Sequence, residues 1–305
     1  MTARAWVLAA VAATGLGSLA VTAAQAPAAP KVVTVDKLKD TLYVLKGGGG
    51  NTALFLTAKG AVVVDTKLPG WGQPLLDAIR TVTDKPLTMV INTHTHYDHT
   101  NGQVEFPASA EVVAHENTKR YMQEANPVYA LQNGPQPNIF AAHGGRGMPS
   151  RTFSTTLTLN SGADRIDLHY FGRAHTGGDT YVVFPALGVM HVGDTFPNRD
   201  LPIMDKNNGG SGVAFPDTLT RAAAVTGVTT IINGHSPTTM TPADVTTYAG
   251  FIREFVSAVQ AAKAAGKTVD DVVATWKTPA AYAGYNAPQP ARVKANAEVI
   301  WGETK

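Results

Sequence analysis

The sequence predicts an α/β chain built as two mixed β-sheets face to face, with helices on the outside. Short β-branched and aliphatic runs alternate with helical segments in two successive halves, residues 31–124 and 151–265. Their order is mixed rather than strictly strand–helix–strand, which suggests two packed sheets. Several of the apolar runs end directly in small-residue turns that carry polar side chains, the arrangement expected where one rim of a sheet holds a site.

In the first half, Thr41–Leu45, Thr52–Leu56 and Ala61–Asp65 read as strands, with Lys59-Gly60 turning between the last two. Gln73–Val82 reads as a helix, Leu87–Asn92 as a strongly buried strand, Glu111–Ala114 as another strand and Glu116–Glu124 as a helix. Residues 125–150 then hold four Gly, four Pro and one formal charge, Arg146. A stretch of this length without periodicity is either a binding loop or a linker. Because the candidate ligands described below are split between the two halves, it is expected to fold over the cleft and select substrates. Tyr129, Leu131, Ile139 and Phe140 would be its apolar contact surface. Arg146 is its candidate for an anionic group, against a default of plain solvent exposure.

Strand signals resume at Thr156–Asn160, Arg165–Tyr170, Thr180–Phe184 and Val189–His191. A helix at Asp217–Thr226 leads into the apolar strand Thr230–Asn233. Thr241 then stands as an N-cap, with Pro242 in the first helical position and Asp244 in the third. Val245, Tyr248, Ile252, Phe255 and Val259 follow at helical spacing until Gly266. Residues 266–305 read as a helical extension packed on the same domain, whose main body is 41–265.

The chain has 305 residues, 44% hydrophobic and 16% charged, a composition that can bury a large core. Lys+Arg number 25 against Asp+Glu 23, with no basic cluster, so a nucleic-acid partner is not expected. The absence of cysteine excludes disulfides, thiolate catalysis and thiolate metal sites. Residues 1–26 read as a secretory signal: Arg4, an apolar run from Ala5 to Ala13, and the small-x-small triplet Ala24-Gln25-Ala26. Residues 27–40 would be a linker running into the first strand. The expectation is export to the periplasm or beyond, without stable membrane association after cleavage. An uncleaved anchor is the alternative, but the Ala-, Gly- and Thr-rich leader inserts weakly.

Nine histidines are present, and their placement is informative. His94, His96, Asp98 and His99 crowd into the run that follows Leu87–Asn92. Residues i and i+2 at a strand end project the same way, and nitrogen and carboxylate donors so close together suit a divalent metal. Three further strands run into turns of the same kind, carrying His175, Asp194 and His235. Asp65 closes Ala61–Val64, where a carboxylate can orient a liganding imidazole. Packed or hydrogen-bonded roles suit His115, His169 and His191, and a solvated one suits His143.

Over roughly residues 41–265 these features resemble the metallo-β-lactamase superfamily. The resemblance rests on Gly50-Asn51-Thr52, Val62-Val-Val-Asp65-Thr66, the His-x-His-x-Asp-His run and the His175, Asp194 and His235 turns in order. It implies an αββα sandwich and a centre of two zinc ions, with iron or manganese as alternatives. His94, His96 and His175 match the first ion's ligands. Asp98, His99 and His235 match the second's, and Asp194 the bridging carboxylate. The family also has an Asp at position 65. His96 disfavours the flavodiiron branch, which has Glu there, and lactamase subclasses with a Cys ligand are excluded. The implied activity is hydrolysis of an ester, lactone, thioester or amide-type bond of a small molecule by a metal-activated water that Asp98 orients. β-Lactam hydrolysis and a mononuclear-iron persulfide dioxygenase are the alternatives, followed by a non-catalytic metal-binding protein. Asn198 and Arg199, after the Asp194 turn, are the nearby candidates for a substrate carboxylate.

Overall fold

The computed structural model describes residues 30–305. The secretory-signal reading of 1–26 and the first part of the linker lie outside them. The first sheet has seven strands in sequential order: β1 (Thr34–Lys39), β2 (Leu42–Lys46), β3 (Thr52–Leu56), β4 (Ala61–Val64), β5 (Leu87–Ile91), β6 (Glu111–His115) and β7 (Arg151–Phe153). Pairings are antiparallel up to β4 and parallel from β4 to β7. The second sheet has five strands, in the order β12 (Thr230–Ile232), β11 (Val189–His191), β10 (Tyr181–Phe184), β9 (Ile166–His169) and β8 (Thr156–Leu159). Only β11 and β12 run parallel there.

The helices are α1 (Gly72–Arg80), α2 (Tyr97–Thr100), α3 (Glu116–Glu124), α4 (Ile139–Ala142), α5 (Phe215–Ala223), α6 (Pro242–Ala264), α7 (Val269–Thr275) and α8 (Pro290–Glu303). The expected cap of α6 forms as a reciprocal box, Thr241 with the Asp244 backbone and Asp244 with that of Thr241.

Period-two alternation explains the layers. In β4, Val62 and Val64 point between the sheets while Ala61 and Val63 point outward. The inner layer also takes Phe55, Ile91 and Val113 from the first sheet, and Leu168, Val182, Phe184 and Ile232 from the second. Outward residues of the first sheet pack on Leu75, Leu76 and Ile79 of α1. Tyr181, Val183, Met190 and Ile231 of the second pack under α5, α6, α7 and α8. Both faces of each sheet are therefore covered, which is why the central strands read as continuous apolar runs. The result is an αββα sandwich.

Three elements depart from the sequence reading. Residues 34–39, read as linker running into a strand, form the edge strand β1, whose exposed charges hide the alternation. β7 is three residues long and extends the first sheet, although its position places it in the second half. Edge strands are commonly short and charged, which blurs their pattern. Within 125–150, Asn138 caps the one-turn α4, and its Phe140 is buried against Val104 and Met122.

Among the described residues no helix is long and apolar enough to cross a membrane. Phe55 and Phe184 meet edge-on with ring centroids 5.0 Å apart, joining the two sheets. Phe184→Ala should cost about 3–5 kcal/mol through the cavity it leaves, measured by urea unfolding with an unchanged slope.

Candidate metal centre

Strand direction decides where the site lies. β4 and β5 run parallel, so Asp65 and the His94–His99 run leave the first sheet at one rim. β11 and β12 are parallel too, so the turns carrying Asp194 and His235 leave the second sheet together. Asn51 joins the rims: its N–H donates to the Gly234 carbonyl at 2.6 Å, and its side-chain amide to the Asn233 and Ser236 carbonyls at 3.0 and 2.8 Å.

The structure brings His94, His96, His175 and Asp194 together in one group, and Asp98, His99 and His235 in another, with donor atoms within 4.8 Å of one another in each. Asp194 touches both. Its Oδ2 lies 3.1 Å from His235 Nε2 and 3.8 Å from His175 Nε2, and its Oδ1 lies 3.3 Å from His99 Nε2. Asp98 Oδ2 is 3.4 Å from His235 Nε2 and 3.6 Å from His99 Nε2.

Four of the five imidazoles are held from behind. His96 Nε2 donates to Asp205 Oδ2 at 2.8 Å, His175 Nδ1 to the Ile203 carbonyl at 2.7 Å, and His99 Nδ1 to Asp65 Oδ2 at 2.7 Å. Thr93 Oγ1 donates to Asp65 Oδ2 at 2.6 Å and accepts from His94 Nδ1 at 2.9 Å. The inner nitrogens of His94, His96 and His175 are thereby left as lone pairs. His96 Nδ1 and His175 Nε2 face each other at 3.0 Å, and His99 Nε2 and His235 Nε2 at 3.3 Å. His94 Nε2 and Asp194 Oδ1 are buried without a hydrogen-bond partner. Lone pairs converging in a dry site are what a cation satisfies, so these residues fit a metal. Small residues make the room: a Cβ on Gly50 would sit 2.1 Å from His99 Cε1, and one on Gly234 1.8 Å from Asp194 Oδ1.

Asp65 also lies close to His94 and His99, but its oxygens serve the Thr93 N–H, the Thr93 hydroxyl and the outer nitrogen of His99. It sits in left-handed backbone at φ 63°, an uncommon state for a non-glycine residue that the surrounding contacts impose. Asn198 lines the cavity at the centre. Arg199 does not; its guanidinium pairs with Asp244 at the start of α6, at 3.1 Å. Arg146 also turns away, donating to the Phe106 carbonyl at 2.6 and 3.2 Å, because that carbonyl is the acceptor within its reach. In the loop, Val128 and Leu131 border the cavity. Tyr129 faces elsewhere, bonded to Glu298 and lying under the Lys206 ammonium, and Phe140 anchors α4. His115 caps α3, His143 bonds the Ile139 carbonyl, His191 bonds the Asn51 carbonyl, and His169 stacks on Phe171.

Sequence reasoning missed Asp205 and Lys67. Asp205 stands in an aperiodic loop with no pattern to mark it. Its Oδ1 also accepts the Tyr129 N–H at 3.0 Å, tying the 125–150 loop to His96. Lys67 is buried, donating to the Leu45 carbonyl at 2.7 Å and to that of Gly50, which steadies the loop against the site. Burial drops its pKa to about 7, while Asp65 and Asp98 pull it back up.

This fold and donor cluster define a hydrolase-type sandwich able to hold metal. The sequence profile of the metallo-β-lactamase superfamily matches residues 45–275, and the chain belongs to that superfamily. Metallo-β-lactamase domain-containing protein 1 of Rattus norvegicus is 38% identical over 71 residues, 23% of this chain and 28% of that protein. The Homo sapiens protein of that name is 34% identical over 110 residues, 32% of this chain and 40% of its own length. The chain thus spans less than half of these curated relatives. A metallo-β-lactamase from Pontibacter korlensis superposes with TM-score 0.58 and 19% identity, covering 72% of this chain and 99% of that one. A double mutant of the sec-alkyl sulfatase PisA1 gives TM-score 0.64 at 14% identity, covering 89% of this chain and 50% of the sulfatase. These two likenesses concern the fold alone.

Removing the outer acceptors should loosen the centre. Asp205→Ala is expected to weaken metal at the His96 group, and Asp65→Ala at the His99 group, by about 10–100-fold each in chelator competition.

Charge separates the two groups. Burial, and then the neighbouring imidazoles, hold His94 well below its ordinary pKa; burial and His96 bring His175 to about 3. Burial opposes charge on His99 as well, but Asp194, Asp98 and Asp65 outweigh it and raise it well above its ordinary value. Asp194 also raises His235. Metal at the first group therefore displaces no proton from His94 or His175 at neutral pH. Metal at the second must displace protons from His99 and His235, so affinity there should rise with pH, by roughly tenfold per unit for each proton displaced. Calorimetry of zinc binding in buffers of different ionisation enthalpy reads both proton counts; equal release at the two groups would contradict this assignment.

Proposed function

We propose that this chain is an exported metal-dependent hydrolase with a two-zinc centre, cleaving an ester, lactone, thioester or amide-type bond of a small molecule. The observation that carries this is the pair of donor groups that share Asp194, with the donor atoms of each within 4.8 Å of one another. His and carboxylate donors without thiolate suit zinc, and also accept iron or manganese. His94, His96 and His175 would hold one ion, Asp98, His99 and His235 the other, with Asp194 between them. Bound there, such ions supply a water ionised near neutral pH and polarise a carbonyl oxygen.

The chain's own residues do the rest. Asp98 faces the cavity and can orient an attacking water, though engagement by an ion makes it a poor free base. His235 is the exposed member of the set and stands at the cavity mouth. Val128, Leu131, Leu201 and Ile203 form an apolar wall that positions an uncharged part of a substrate and excludes water from it. The pattern from Arg4 to Ala24-Gln25-Ala26 supports export.

Purified protein should contain two equivalents of transition metal and hydrolyse at least one of an aryl ester, a lactone, a thioester and a chromogenic cephalosporin. Chelation or His94→Ala should abolish turnover. A metal-free protein, or turnover indifferent to chelator, would refute the reading. Preferential cephalosporin turnover would make it a β-lactamase, and oxygen uptake with a persulfide would make it a dioxygenase.

A further inference from the structure

The cavity on the candidate centre encloses about 260 Å³, the scale of a small molecule. Its floor is His96, His175 and Asp194. Its wall includes a cation brought from outside the sheet rims: Arg292, the third residue of α8. Among the described residues lining the cavity it is the one lysine or arginine.

Arg292 is half-buried, yet most of its hydrogen-bonding capacity is unused. Its guanidinium makes one long hydrogen bond, from Nη1 to the Leu201 carbonyl at 3.3 Å. Among the described residues no carboxylate lies within 4.0 Å of it. Asp200 lines the same cavity, but its Oδ1 accepts the Leu201 N–H at 2.7 Å instead. A guanidinium offers five N–H donors in a rigid fork. Held partly out of water with donors to spare, it gains most from a planar oxyanion that takes two of them at once. The same cavity is lined by Leu131, an apolar side chain left 52% exposed. A cation and an uncovered apolar surface in one cleft suit a ligand with a carboxylate and an apolar body.

We propose that Arg292 is the carboxylate anchor of this site, and that the substrates are small apolar molecules bearing a free carboxylate. The proposal rests on the hydrolase reading above. It also gives the C-terminal helix a direct part in selecting substrates.

The test uses the metal-loaded protein and a matched pair of esters, 4-nitrophenyl hemiadipate and its neutral carboxamide analogue. Arg292→Gln should raise KM for the carboxylate ester about 10–100-fold more than for the carboxamide, with metal content and Tm unchanged. Arg292→Lys should recover part of the loss, and Asp200→Asn should lower KM for the carboxylate ester by removing a like charge. Binding of phenylacetate against phenylacetamide, followed by NMR, reads the anchor without turnover. If no ester, lactone, thioester or cephalosporin is cleaved but phenylacetate still binds through Arg292, the hydrolase reading fails and the anchor stands. Equal losses on both members of each pair, or none on either, would overturn the anchor.

Discussion

His96 Nδ1 and His175 Nε2 face each other 3.0 Å apart, with their protons engaged elsewhere by Asp205 and the Ile203 carbonyl. Two lone pairs held that close repel unless a positive charge lies between them. The repulsion is sustained because the outer acceptors hold each ring in one tautomer and one orientation. Asp65 does the same for two rings at once, directly for His99 and through the Thr93 hydroxyl for His94. The site is therefore organised from its outside inward. The donors face a common centre because their other nitrogens are already satisfied.

Such a cluster survives burial only where the scaffold is rigid around it. The αββα layers supply that rigidity, since each sheet is packed on both faces. Asn51 and Lys67 then carry the stiffness to the rim. One bonds three carbonyls of the turn around His235, and the other holds the carbonyls of Leu45 and Gly50. Gly50 and Gly234 let backbone approach His99 and Asp194 more closely than any side chain would allow.

The 125–150 loop is less independent than its composition suggests. Phe140 anchors it at one end, while at the other the Tyr129 N–H bonds the carboxylate that also holds His96. The loop and the His96 ring thus share Asp205. A displacement of the loop near Tyr129 would be felt at His96.

The periodicity of the apolar runs and the grouping of His94, His96, Asp98 and His99 after one strand were legible in the sequence, because both are local. So were the turns carrying His175, Asp194 and His235, whose glycines mark close backbone approach. The strands β1 and β7 were not, since an edge pairs on one side and tolerates charge and brevity. Asp205 had no local sign either; its role exists only because the fold brings it to a ring 109 residues away in the chain. Arg146 and Arg199 illustrate the converse. A mobile cation near a site in sequence takes the nearest acceptor in space, here the Phe106 carbonyl and Asp244. Sequence alone determined which residues offer donor atoms and where strands end. Tertiary structure decided which donors meet, which atoms of each face inward, and which charge borders the cleft, because these depend on the relative placement of distant segments.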